Sequence, residues 1–142
     1  MTDAPLIGSV GLWYAYLAPQ IYSGDGNEYQ LDLVNAGSLG NTSLFTEAPN
    51  GVALTHRSVV HVDVHGSCEH EVAIERTLEV QLDKGSSGGL MPRGQSIFVA
   101  GEGNAFYIGL LEAGHIIRVA VSAPGDQVEI TGGYISVSAI PV

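Results

Sequence analysis

The stretch GLLEAGHIIRVAVSAPGDQVEITGGYISVSAIPV, Gly109 to Val142, decides how the rest of the chain is read. Ile116 to Ser122 and Tyr134 to Ile140 alternate apolar with small or polar residues. That period of two puts one face of a strand on a core and the other outside it. A Leu-x-x-Gly turn precedes the first run, a Gly-Asp turn follows it, and Val128 to Ile130 forms a short strand in between. Reactive side chains are sparse across the stretch, so it reads as scaffold.

Working outward, the same signals recur with turns between them. Leu12 to Leu17 (LWYAYL) is an aromatic strand stopped by Pro19, and Tyr22 to Tyr29 (YSGDGNEY) is a turn. Gln30 to Val34 is a strand with Leu31 and Leu33 on one face, followed by a loop from Asn35 to Asn50 that a short apolar Ser43-Leu44-Phe45-Thr46 interrupts. Ser58 to His65 (SVVHVDVH) alternates most clearly: Val60, Val62 and Val64 share one face, and His61, Asp63 and His65 the other. Glu71 to Asp83 is read as strand from its TLEVQLD ending, with a turn at Lys84 to Gly88. Ser96 to Ala100 and Asn104 to Leu111 are further strands. Roughly eight strands and no helix predict an all-β sandwich or jelly roll.

Composition agrees. A chain of 142 residues with 45% hydrophobic and 14% charged residues is long enough for one domain with a usable core. Fifteen acidic against five basic residues give a net charge of −10, which disfavours nucleic acid as a partner. The single Cys68 cannot form an internal disulfide. The N-terminal MTDAPLIGSVGLWYAYLAPQ lacks a positively charged start and its apolar run is short, so neither a signal peptide nor a membrane span is expected.

The order of elements in the last third resembles the C-terminal half of the TNF/C1q-like jelly roll. Asn104 to Leu111 corresponds to its strand F, Leu111-Glu112-Ala113-Gly114 to the tight turn, Ile116 to Ser122 to strand G and Tyr134 to Ile140 to strand H. The family usually has Asp after that glycine, where this chain has His115. The resemblance implies an all-β, TNF/C1q-like jelly-roll domain over residues 12–142, preceded by an arm over residues 1–11. It also implies that Leu12 to Leu17 is strand A, paired with strand H, and that strands A, H and F lie in the sheet that faces neighbouring subunits.

Within that family, an acidic, Gly-rich jelly roll ending GGYISVSAIPV is similar to the small trimeric structural proteins of tailed bacteriophages. The resemblance implies a non-enzymatic capsid decoration (cement) protein: a homotrimer on the capsid surface of the virion, made in the host cytoplasm. Its partner is the major capsid protein; no cofactor, nucleic acid or membrane is involved. Trp13, Tyr14, Tyr16, Phe106 and Tyr107 are then trimer-interface residues, each neighbouring pair offering one core and one interface side chain. Pro5, Leu6 and Ile7 in the arm are the capsid-binding residues. The alternative is the receptor- or glycan-binding head of a phage fibre, using loops at residues 35–50 and 85–93.

Other polar constellations each have a structural reading beside a chemical one. His61, Asp63 and His65 project from one strand face about 7 Å apart, a spacing that suits His-x-His zinc ligands, with Cys68 and His70 near in sequence. The same residues equally make the polar face of a half-buried strand or a polar subunit contact, and on that reading no metal is assigned. Cys68 lies in an expected Gly66-Ser67-Cys68-Glu69 turn among acids, a poor setting for a nucleophile. Asp25, Asn27 and Glu28 have calcium-ligand chemistry but are also ordinary turn formers. No Gly-x-Ser-x-Gly elbow or phosphate loop is present, so no catalytic residue is assigned.

Overall fold

The computed structural model describes residues 9–23, 25–68, 76–84, 90–98, 102–123 and 128–142, with backbone alone for residues 76 and 90–98. The strands are β1 (Gly11–Leu17), β2 (Gln20–Tyr22), β3 (Tyr29–Gln30), β4 (Leu33–Gly40), β5 (Phe45–Ala48), β6 (Gly51–Leu54) and β7 (Ser58–Cys68). They continue with β8 (Arg76–Asp83), β9 (Leu90–Phe98), β10 (Glu102–Leu111), β11 (Ile116–Ser122) and β12 (Val128–Pro141). One 3-10 turn, Thr42–Leu44, is the only helical element among the described residues.

All pairings are antiparallel and form two sheets. The front sheet runs β10-β7-β12-β1-β4 with β2 beside β12; the back sheet runs β5-β6-β11-β8-β9 with β3 beside β11. This is a jelly-roll sandwich. The strands assigned to A, H and F in the sequence are β1, β12 and β10, and they share the front sheet, with β1 paired to β12 from Gly11↔Ala139 to Tyr16↔Tyr134.

The core follows from alternation. Trp13, Ala15 and Leu17 of β1, Val60, Val62 and Val64 of β7, and Ile135, Val137 and Ala139 of β12 point inward from the front sheet. Leu78, Val80 and Leu82 of β8 and Ile117, Val119 and Val121 of β11 meet them from the back. The Trp13 indole N–H donates to Glu47 Oε1 of β5 at 2.9 Å, tying the two sheets together. Gly114, at φ +89°, takes the left-handed conformation that closes the turn before β11, and its N–H donates to the Leu54 carbonyl.

Several sequence expectations are corrected. The chain has twelve described strands where about eight were expected, because β2, β3, β5 and β6 are two to four residues long, too short to show a period. Gln30 to Val34 is not one strand: Gln30 pairs in the back sheet and Leu33 in the front, and the fully buried Leu31 plugs the crossing between them. Much of the expected Asn35–Asn50 loop is the strands β4 and β5. Val128 to Ile130 is continuous with the last strand, with a bulge at Thr131. Strand β9 starts at Leu90, within the expected loop, and its Pro92 is tolerated because β9 is the last strand of its sheet. The strand β7 runs on through Gly66 and Ser67 to Cys68, which is buried in the core and not in a turn. The expected turn at residues 85–88, the capsid-binding Pro5, Leu6 and Ile7, and His70 lie outside the described residues.

Candidate functional site

The front sheet has an outer face, and register fixes which side chains share it. From β10 across β7, β12 and β1 to β4, one row reads Asn104, His65, Tyr134, Tyr16 and Val34. The next reads Phe106, Asp63, Ser136, Tyr14 and Gly37, and the third Ile108, His61, Ser138, Leu12 and Leu39. Leu110, Val59 and Ile140 form a fourth, shorter row. Nine large apolar side chains on this one face are exposed, with Phe106 at 62%, Ile108 at 61% and Tyr16 at 50%. Scattered exposed apolar residues are normal; a contiguous set across one sheet marks a contact surface.

The face is not uniform. The strand β10 carries an aliphatic and aromatic ridge, Phe106, Ile108 and Leu110, along one edge of the sheet. At the other side the Tyr14 and Tyr16 rings meet edge to face with centroids 6.3 Å apart. Tyr14 lies over Gly37, where an added Cβ would sit 2.4 Å from its hydroxyl. So β4 is flat at that point because it has a glycine there.

Histidines and acids make a polar island in the middle. His61 Nε2 lies 3.1 Å from Asp63 Oδ2, with both side chains about half exposed (50% and 51%). His65 bonds Asn104 Oδ1 through Nδ1 at 2.7 Å, faces Glu102 through Nε2 at 3.5 Å, and stacks on Tyr134. These are partners within and across strands. Among the described residues no three His, Cys, Asp or Glu side chains converge as a metal-holding group.

Of the five aromatics assigned to an interface, Tyr14, Tyr16 and Phe106 are on the outer face. Trp13 is not: at 2% exposure it is core, because it has the inward parity of Ala15 and Leu17. Tyr107 also turns inward, packing against the core over Gly109. Ile108, Leu110, Val59, Tyr134, Ile140, Val34 and Leu39 were missed. The available signal was that Asn104 to Leu111 and Tyr134 to Ile140 have large apolar residues at the parity opposite their core residues.

The turn at Asp25 is held by its own hydrogen bonds. The Tyr29 hydroxyl donates to Asp25 Oδ2 at 2.6 Å and the Asn27 N–H to Oδ1 at 3.0 Å. These bonds, the Tyr29 one first, hold the Asp25 carboxyl below its ordinary range. Glu28 points elsewhere. On the outer side of the back sheet, Gln81 Nε2 donates to Glu28 Oε2 at 2.8 Å and to Glu79 Oε1 at 2.9 Å. A hydrogen bond with Glu79, then burial and the Glu79 charge, push Glu28 above the ordinary carboxylate range. Glu79 and Gln81 are buried although strand parity places them on the outer side.

A shallow depression of about 460 Å³, lined by Pro19, Gln20, Ile21, Glu129, Ile130 and Thr131, opens where β2 meets the β12 bulge. It holds no convergent set of reactive groups.

Comparison with solved structures bears out the fold. Murine APRIL superposes with a TM-score of 0.66 at 12% identity, covering 92% of this chain and 99% of that one. Its fold is the TNF-like jelly roll. Eiger TNF from S. frugiperda agrees, with a TM-score of 0.62 at 12% identity over 89% of this chain and 91% of its own. No protein-family model and no curated protein sequence matches the chain.

Proposed function

We propose that this TNF-like jelly roll is a non-enzymatic assembly protein, a homotrimer built through the outer face of the front sheet, that decorates the head of a tailed phage. The observation that carries the assembly is the concentration of exposed apolar side chains on that one face. The face also has dissimilar halves, a ridge on β10 and a tyrosine-lined floor over β1 and β4. Such a face suits head-to-tail contacts that close into a ring better than a two-fold contact, in which one patch must complement itself. Three copies follow from the resemblance to trimeric jelly rolls.

The phage role is supported by the resemblance of the C-terminal third and by an acidic surface unsuited to nucleic acid. Its mechanism is mechanical: each trimer bridges capsid subunits at sites that exist only on an assembled shell. Three modest contacts suffice, since the second and third form at high effective concentration.

Two measurements test the proposal. Sedimentation of the purified chain should give three chains of 14.8 kDa, 44.4 kDa together. The purified protein should bind assembled heads and not free capsid subunits, and removing residues 2–9 should weaken that binding while leaving the trimer intact. A trimer that ignores heads but binds host cells or glycans would favour the fibre-head alternative.

A further inference from the structure

Resting on the reading of the front face as the surface between copies, we infer that assembly is proton-coupled, the His61–Asp63 pair taking up a proton as a second copy closes over it.

The reason is the lack of any Lys or Arg on the front-sheet strands. The six strands of the front sheet, β1, β2, β4, β7, β10 and β12, contain no Lys and no Arg. Their acids are Asp63, Glu102 and Glu129, and their only basic side chains are His61 and His65. Asp63 stands in the middle of the face. From β10 it meets Phe106 and from β12 Ser136, while His61 meets Ile108 and Ser138. None of these four carries charge. The front-sheet strands of a second copy packing on this face bring no Lys or Arg either.

Burying an ionised carboxylate without a counter-charge is costly, whereas a hydrogen-bonded ion pair of zero net charge is far less so. Among the described residues, the proton acceptor paired with Asp63 that can become that counter-charge is His61 Nε2, 3.1 Å from Oδ2. In the separate chain both groups are half in water, which solvates the carboxylate without help from the ring. In the closed contact, the imidazolium is the form that leaves no net charge. The second pair works in the same direction. His65 has Asn104 Oδ1 at one ring nitrogen and Glu102 Oε1 at the other, so a doubly protonated ring satisfies both acceptors, with Tyr134 stacked on its side.

The sign follows. A group that binds its proton more tightly in the assembled state adds stability as pH falls into the histidine range and withdraws it as pH rises. The oligomer therefore tightens from about pH 8 to about pH 6. With one proton taken up per chain, the three-chain association constant changes by at most about a thousandfold per pH unit.

The experiment is sedimentation velocity of the full chain at constant ionic strength between about pH 8.5 and about pH 5.5, with thermal unfolding run alongside to confirm each variant is folded. The parent should dissociate at higher concentration as pH rises. Asp63→Asn removes the charge that demands the proton, so it should strengthen the oligomer at the alkaline end and flatten the profile. His61→Gln should flatten the profile too, but by removing the strengthening at the acid end and leaving the alkaline end near that of the parent. An oligomer of constant strength across the range, or an Asp63→Asn variant that is weaker at alkaline pH, overturns the proton coupling and leaves the assembly face standing. A chain that stays monomeric at every pH and at millimolar concentration overturns both.

Discussion

Replacing Phe106 with Ser separates assembly from folding. In the single chain Phe106 is 62% exposed on the outer face of an edge strand, so its loss removes little that holds the sandwich together. An aromatic side chain buries about 200 Å² when covered, so about 120 Å² of Phe106 remains to be covered by a neighbour. At about 25 cal/mol per Å² this is about 3 kcal/mol per contact, and about 9 kcal/mol over three equivalent contacts. That is an upper figure, since part of the ring stays wet at any rim, but half of it already moves a three-chain equilibrium by about three decades. Light scattering and sedimentation at micromolar concentration should therefore show a 14.8 kDa species for Phe106→Ser where the parent is three times heavier. Thermal unfolding of the dissociated parent and of the variant should agree within about 0.5 kcal/mol. Trp13→Ala is the contrast: Trp13 is core at 2% exposure and bonds Glu47, so it should lose about 3–5 kcal/mol of folding stability. A Phe106→Ser chain that is still trimeric, or that unfolds as readily as Trp13→Ala, refutes the assignment of the outer face.

Gly133 has φ +139° and an added Cβ would lie 2.1 Å from the His65 carbonyl oxygen, so Gly133→Ala should cost more than about 3 kcal/mol in urea unfolding, whereas Gly114→Ala, at φ +89° with open space around it, should cost only about 1–2 kcal/mol. Glu28 binds its proton more tightly in the folded chain than at its ordinary value of 4.5, so its contribution is present in acid and lost as pH rises through the raised value; Glu28→Gln should raise the Tm at neutral pH, and a lower Tm there would contradict the Glu28–Glu79 repulsion.

How far the sequence could be read depends on strand length. Ser58 to His65, Ile116 to Ser122 and Tyr134 to Ile140 are long enough to repeat their period, and each lies within or coincides with a strand of the structure. The first is one register of β7 in which Val60, Val62 and Val64 face the core and the histidines the outside. Where the chain crosses between sheets the signal fails. Leu31 and Leu33 look like one face of one strand, yet the chain leaves β3 at Gln30 and enters the other sheet at Leu33, and only tertiary pairing reveals it. The assembly face was half legible. Parity separates Trp13 from Tyr14 and Phe106 from Tyr107, but it cannot say which member faces the core until the inward side of each strand is known. Burial of Glu79 and Gln81 had no sequence signal, because what engages them is Glu28, about fifty residues away.

The distribution of charge bears on whether a chain of net charge −10 could associate with itself as proposed. The six front-sheet strands hold three of the fifteen acidic residues, and only Asp63 sits in a central row of the outer face. The rest belong to the back sheet, the connections and the arm. Two packed sheets lie about 10 Å apart, and the Debye length at physiological salt is about 8 Å. Charge on the back sheet is therefore largely screened from a partner at the front. The same separation leaves Asp63 as the one carboxylate whose charge a close contact cannot screen, since a desolvated group is beyond the reach of salt. On the proposed assembly, a largely apolar front face whose strands lack Lys and Arg would gain association from buried area. It concentrates its electrostatic sensitivity in the few polar groups at its centre, which is why His61 and Asp63, and not the overall charge, should govern how assembly responds to pH.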